Sequence, residues 1–351
     1  MSDDRPVLVI GCGLIGTSLA LALTEQGRTV HLADAVPSNV ELAVSRGAGS
    51  ADSVDDPELV VVAVPPSVVA DVTLKALADH PEAVVTDVTS VKTELIDTVE
   101  RSANAGRFVG GHPMAGKERS GPMAAAARLF EGRPWAIVPT SSSAETAVML
   151  VTAVAESVGA VPRRMDAENH DRAVALVSHV PHLASVAVAG LLNDAPEGAL
   201  DLAGPGLRDV TRIAGSETGL WIDILGGNAG EVRRLLEALR TSIDRAIESL
   251  DTDPAELSGL LDAGRAGSGL IPGRHGGASE RLAVVYVSVS DQPGELSRLM
   301  ADTGESDVNI EDIRIDHELG RLVGQVEISV LETGADTLVD ALTARGWAAH
   351  R

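Results

Sequence analysis

The sequence predicts an α/β protein: a doubly wound, mostly parallel sheet domain, then an all-α helical domain, then a small βαββαβ module. Three observations predict it. Short β-rich runs alternate with Ala/Leu-rich amphipathic stretches over residues 6–140, the pattern of strands joined by crossover helices. From about residue 166 the strands stop and long helical patterns take over. After the glycine-rich run GRAGSGLIPGRHGGAS, residues 264–279, the β pattern restarts. A chain of 351 residues suits two or three domains. The boundaries read as 1–165 for the sheet domain, 166–263 for the helical domain, a linker over 264–279, and 280–351 for the module.

In chain order, VLVI (7–10), TVHLA (29–33), LVVVAV (59–64), AVVTDV (83–88) and WAIVP (135–139) read as buried parallel strands, because continuous apolar runs bounded by turn residues suit a sheet covered on both faces. The first strand runs directly into Gly11-Cys12-Gly13-Leu14-Ile15-Gly16, which opens a helix. Strand, GxGxxG and helix together make a Rossmann-type dinucleotide site. Its glycines allow the tight turn, the approach of pyrophosphate to backbone, and close helix–strand contact. Gly11, Gly13, Leu14, Ile15 and Gly16 would face the phosphates, and Asp34, closing the second strand, would take a ribose hydroxyl. No arginine follows in Ala35-Val36, so NAD is the expected cofactor: the carboxylate would repel a 2′-phosphate. Cys12 reads as a small buried residue.

Three further segments carry chemistry. Asp87-Val88-Thr89-Ser90-Val91-Lys92 and Gly110-Gly111-His112-Pro113-Met114-Ala115-Gly116 both start at what read as carboxyl ends of strands, where open α/β sheets bind ligands. Ser90 is either an N-cap for the next helix or a hydroxyl that orients His112. Residues 166–194 form one long helical pattern kinked at Pro181, with His179 and His182 on one face. No third ligand is apparent, so the pair suits buried or substrate contacts rather than a metal. The second half of that helix is apolar nearly all round, which calls for burial inside the helical domain or at a subunit interface. Further helices are expected at about 206–225, 229–250 and 254–263. Arg208 and Arg212 are four residues apart amid small apolar neighbours: a solvated face, or a carboxylate clamp.

Composition narrows the partners. The charge of 28 − 51 = −23 disfavours nucleic acid and anionic membranes. An anionic substrate would therefore need local cations. One cysteine excludes an internal disulfide or a cysteine-based zinc cluster. Aromatics are 2% of the chain, so the cores must be built from Ala, Val, Leu and Ile. The acidic start MSDDRP is no signal peptide, and no apolar run is expected to reach membrane-spanning length. A soluble, cytoplasmic protein is expected.

GxGxxG with Asp34, DVTSVK, GGHPMAGKERSG, SHVPH and RDVTRIAGSETGLWIDI, in that order, resemble the prephenate dehydrogenase family of tyrosine biosynthesis. The final module, with Asp291-Gln292-Pro293-Gly294-Glu295-Leu296 at its first strand–helix turn, resembles an ACT domain. The resemblance implies NAD-dependent oxidative decarboxylation of prephenate to 4-hydroxyphenylpyruvate. It implies His112 as the catalytic histidine, Ser90 as the serine that positions it, and Arg212 as the substrate-carboxylate arginine. His179, His182, Glu118 and Arg208 would line or gate the substrate pocket. Pro205 stands where the family has a glycine. Asp291, Gly294, Asn309 and Ile310 would meet a tyrosine effector, and a homodimer is implied. Arogenate dehydrogenase is the alternative, with the same fold and chemistry. A β-hydroxyacid dehydrogenase would want a lysine base on the long helix, and residues 170–185 contain none.

Overall fold

The computed structural model describes residues 5–116, 119–271, 282–317 and 323–351. Glu118 and residues 272–279 of the expected linker lie outside the described residues. The chain divides into two compact units, one up to Arg240 and one over Thr241–Arg351.

The first unit opens as β1 (Val7–Ile10), α1 (Leu14–Glu25), β2 (Val30–Ala33), α2 (Pro37–Ser45), β3 (Leu59–Val62), α3 (Pro66–Asp79), β4 (Val84–Asp87) and α4 (Thr93–Glu100). It continues as β5 (Phe108–Pro113), β6 (Pro134–Pro139), α5 (Glu145–Ser157) and β7 (Val161–Arg164). The seven strands form one sheet in the order β2-β1-β3-β4-β5-β6-β7. Strand order reverses at β1, between β2 and β3, which opens the crevice where such sheets bind nucleotides. Side chains alternate between two cores. Val7, Val9, Leu59, Val61, Val109 and Ile137 face one layer. Leu8, Val60, Val62, Val85, Phe108 and Val138 face the other.

Two strand expectations need correction. The run at 135–139 is not parallel to its neighbour: β6 pairs with β5 antiparallel. Among the described residues between them the regular structure is a short 3₁₀ turn at Pro122–Ala124, which is no crossover helix to carry the chain back to the start of a parallel strand. His112 is inside β5 rather than after it, and β5 is parallel to β4. β7, of sequence VPRR, is largely exposed and carries no apolar run by which it could be read.

The helical part of this unit comprises α6 (Ala167–Val174), a π-helical turn (Ala175–His179), α7 (Val180–Leu191), α8 (Pro205–Thr211), α9 (Thr218–Gly227) and the start of α10 (Ala229–Thr252). The π turn stands directly before Pro181, whose missing N–H and ring strain the preceding turn. The single helix expected over 206–225 is broken, because Gly215 and an extended Ser216 end a 3₁₀ turn begun at Arg212. Pro205 occupies the first turn of α8, where its fixed φ suits a helix start. Within the 28-residue helical run Ala167–Asp194, an 18-residue stretch has a mean hydropathy of 1.6, long and apolar enough by composition to cross a bilayer. That corrects the expectation that no run has the length. Its buried residues, however, include His170, Asp171, His179 and His182. Val186 and Leu191 are 40% and 74% exposed, so a single chain does not bury α7 on every side.

The second unit adds α11 (Leu257–Ser268), β8 (Leu282–Ser290), α12 (Glu295–Gly304), β9 (Asp312–His317), β10 (Val323–Leu331), α13 (Ala335–Ala344) and β11 (Ala348–His350). The helix α11 runs through Gly264 and Gly267, where the linker was expected to have begun. Glycine costs a helix only about 1 kcal/mol each. The four strands pair antiparallel in the order β11-β8-β10-β9. Val285, Val287, Val326, Ile328, Leu299 and Leu338 form the module's core.

Candidate active site

The carboxyl ends of β1, β2, β4 and β5 carry the motifs read from the sequence. Gly11 has φ of +105°, a left-handed conformation that favours glycine, and a Cβ there would lie 2.2 Å from the Ala63 carbonyl oxygen. A Cβ at Gly16 would lie 1.9 Å from the Gly11 oxygen, whereas one at Gly13 would meet nothing within 4 Å. The first and third glycines therefore pack the turn, and the second leaves an open face. The α1 N-terminus has no side-chain cap, so its N–H groups remain for an anion. Asp34 Oδ2 accepts from Cys12 N–H at 2.6 Å, and Oδ1 accepts from Val36 N–H at 2.8 Å. The carboxylate is thus held against the glycine turn. These residues fit a dinucleotide. Burial, with the Asp34 charge second, pushes the Cys12 thiol up to about 12, so it stays protonated and unreactive.

Around His112 the structure builds a buried polar chain. Lys92 is fully buried, and its Nζ donates to Asp87 Oδ2 at 2.5 Å, Thr89 Oγ1 at 2.8 Å and the Val91 oxygen at 3.1 Å. Asp87 also accepts from Thr89 N–H at 2.8 Å and Gly111 N–H at 3.2 Å. The residue before His112 is therefore tied to the end of β4. His112 itself is 8% exposed. Its Nδ1 lies 2.9 Å from His170 Nε2, and His170 Nδ1 lies 2.8 Å from Asp171 Oδ1. Asp171 accepts Lys92 N–H at 2.9 Å and Thr93 N–H at 2.8 Å.

The electrostatics follow from burial. Desolvation holds His112 well below the ordinary histidine value, and the cationic forms of His170, Lys92 and His179 oppose its charging further. Burial also lowers His170, against the pull of Asp171. His179 is lowered by burial to about 4. Lys92 is lowered by burial, against Asp87. For Asp171, burial pushes upward, but hydrogen bonds from His170 and Thr93 outweigh it and hold the carboxyl below its usual range. The chain is a set of neutral imidazoles ending on a carboxylate.

The expected site residues fall into groups. His112 and His179 are close enough to interact electrostatically. Asn228 joins His179 to α6: its Nδ2 donates to the Asp171 carbonyl oxygen at 2.7 Å and lies 3.3 Å from His179 Nδ1. His182 stacks on Trp221 with ring centroids 3.5 Å apart and planes 2° apart, and it hydrogen-bonds the Ile213 backbone. Its Nδ1 is buried with no partner among the described residues. Arg212 begins the 3₁₀ turn that packs on α7, next to Ile213, and is exposed, as is Arg208 on α8. Ser90 is half-buried in the β4–α4 connection. It is not the N-cap of α4, a position Lys92 takes, and no hydrogen bond joins it to His112 among the described residues. Asp291, Gly294, Asn309 and Ile310 lie in the second unit: Gly294 has φ of +95°, and Asn309 Nδ2 donates to Glu311 at 2.9 Å.

Sequence reasoning passed over His170, Asp171, Asn228 and Trp221. A His-Asp pair nine residues before His179 on one helical run was the available signal. The π turn between them hides that all three reach one region, because it breaks the 3.6-residue period.

Comparison with known proteins places the chain. The family description "Prephenate dehydrogenase, nucleotide-binding domain" matches residues 19–163, and "Prephenate dehydrogenase, dimerization domain" matches residues 166–261. The chain is 36% identical to the probable prephenate dehydrogenase NovF of Streptomyces niveus, over 99% of both chains. The crystal structure of Aquifex aeolicus prephenate dehydrogenase with hydroxyphenyl propionate and NAD⁺ superposes with a TM-score of 0.69 at 30% identity. That match covers 75% of this chain and 97% of the other. Synechocystis arogenate dehydrogenase gives a TM-score of 0.65 at 27% identity, covering 75% and 98%.

The buried Lys92–Asp87 pair generates a stability prediction. Lys92→Met strands a buried carboxylate and should cost about 3–5 kcal/mol in urea denaturation, while Lys92→Met with Asp87→Leu should cost clearly less. Equal losses in the two variants would show that the charge pairing is not what holds this corner.

Proposed function

The chain belongs to the prephenate dehydrogenase family, and from that premise we propose that it oxidises and decarboxylates prephenate with NAD⁺, giving 4-hydroxyphenylpyruvate. The single observation that carries the catalytic assignment is His112: a buried, neutral imidazole at the carboxyl end of β5, with one ring nitrogen engaged by His170. A bound nicotinamide supplies the hydride acceptor. The chain's own groups handle the proton and the charges. As hydride leaves the hydroxyl-bearing ring carbon, His112 accepts the hydroxyl proton. The bond to the ring carboxylate then breaks, CO₂ departs, and its electron pair completes the aromatic ring. The oxygen is left as a phenolate and takes the proton back from His112, so no net proton is released.

Arg212 is assigned to the substrate's side-chain carboxylate. A guanidinium paired tightly with the ring carboxylate would resist its departure as neutral CO₂. His179, His182 and Arg208 are assigned to the substrate approach, and Ser90, in the β4–α4 connection, to the nicotinamide. Asp34 followed by Ala35-Val36 supports NAD over NADP. The exposed apolar side chains Leu176, Val177, Val186 and Leu191 support a homodimer covering the long helical run. The βαββαβ module, read as an ACT domain, would bind tyrosine near Asp291, Gly294, Asn309 and Ile310. The acidic, disulfide-free chain suits a cytoplasmic enzyme. The alternative substrate, arogenate, carries an ammonium where prephenate has a keto group, and the similarity to the Synechocystis enzyme keeps it in the assay.

His112→Asn should lower kcat by about 10²–10⁴-fold with little change in KM, the range for a lost general base. Its depressed pKa keeps the base neutral to lower pH. The acid limb of kcat/KM should therefore lie below about 6.5, the unperturbed histidine value. Near-normal turnover of the variant, or a limb centred above that value, removes His112 from this role. NADH formation measured with prephenate and with arogenate should favour prephenate. Added tyrosine should inhibit the full chain, and Asp291→Ala with Asn309→Ala should relieve it; inhibition unchanged in the double variant would exclude that effector site.

A further inference from the structure

We propose that His170 and Asp171 are positioning residues that lock the proton of His112 onto Nδ1, so that bare Nε2 faces the substrate hydroxyl. The inference rests on the reading of His112 as the base and adds which nitrogen acts and why.

The protons along the chain can be counted from its carboxylate end. Asp171 is ionised, so its Oδ1 can only accept. The nitrogen 2.8 Å from it, His170 Nδ1, must therefore carry a hydrogen. Burial keeps His170 neutral, so it has one ring hydrogen and its Nε2 is a lone pair. That lone pair lies 2.9 Å from His112 Nδ1. Two lone pairs at this distance would repel, so His112 Nδ1 carries the hydrogen and donates it. His112 is neutral as well. Its single hydrogen is spent on His170, and Nε2 is left as an acceptor with no bond to any described residue. When Nε2 takes a proton, the Nδ1–H···His170 bond persists and the Asp171 charge stabilises the cation through it.

The acceptor end cannot swing away. Asp171 Oδ1 and Oδ2 are held by the N–H groups of Lys92 and Thr93 at the start of α4. His170 and Asp171 come from the helical run, His112 from β5. The tautomer is therefore set only when α6 is seated on the sheet. The other charged or titratable groups facing His112 are Lys92 and His179, with Asp87 reaching it through Lys92 and Gly111. None of them accepts from its Nδ1.

The test is ¹⁵N-histidine NMR of the full-length, dinucleotide-bound protein at neutral pH, paired with steady-state kinetics. Wild type should show His112 protonated on Nδ1, the tautomer that free imidazole side chains disfavour. His170→Phe keeps a ring but removes the acceptor. It should shift His112 toward Nε2 protonation and lower kcat by about 10- to 100-fold at unchanged KM, as when the partner orienting a histidine is removed. His170→Gln, which restores an oxygen acceptor, should recover part of kcat. A wild-type His112 protonated on Nε2 overturns the proposal, as does a His170→Phe protein with wild-type tautomer and kcat. If His170→Phe does not fold, the wild-type spectrum alone decides. Failure of the base assignment is a separate result: it appears as normal turnover in His112→Asn, whatever the tautomer.

Discussion

The carboxylate of Asp171 is the constraint on which the site depends. One side chain closes three structural gaps. It satisfies two backbone N–H groups at the start of α4, it fixes His170, and through His170 it reaches His112. Those N–H groups would otherwise be orphans at a buried helix start. Seating the long helix on the sheet and orienting the imidazole are thus the same event. Asn228 repeats the logic one turn on, linking the Asp171 carbonyl to His179. Burial makes these bonds strong and also makes a missing partner costly. That accounts for the full pairing of the Asp171 carboxylate.

The same burial resolves a difficulty of charge. A chain of net charge −23 must hold an anionic dinucleotide and an anionic substrate. The fold offers local arrangements for this rather than a basic surface. The uncapped start of α1 and the open face at Gly13 suit the phosphates of a dinucleotide. Arg212 stands at the start of the turn packed on α7. Lys92 is neutralised by Asp87, so it shapes the backbone at Gly111 rather than attracting the substrate. In the role proposed for it, the neutral His112 imidazole would meet the reacting hydroxyl without adding charge to a low-dielectric site.

Much of this was legible in the residues. The strands at 7–10, 29–33 and 59–64, the glycine turn, Asp34 and the βαββαβ module follow from local pattern: apolar runs, turn chemistry and spacing. The direction of β6 was not legible, since antiparallel pairing depends on what fills the 114–133 connection rather than on the strand's own composition. β7 was missed because an edge strand need not be apolar. Ser90 was chosen to orient His112 because it sits in a motif, whereas the partner, His170, is 58 residues away along the chain and arrives by tertiary packing. The π turn at Ala175–His179 further scrambles the helical period that would have grouped His170 with His179.

The account's central claim is that one small dianion sits between His112 and Arg212 beside the nicotinamide. The most direct measurement is a crystal structure of this chain with NAD⁺ and hydroxyphenyl propionate. The account predicts the phenol oxygen within hydrogen-bonding distance of His112 Nε2 and the propionate carboxylate against the Arg212 guanidinium. A phenol oxygen turned away from His112, or a carboxylate bound in a cleft that Arg212 does not enter, would contradict it.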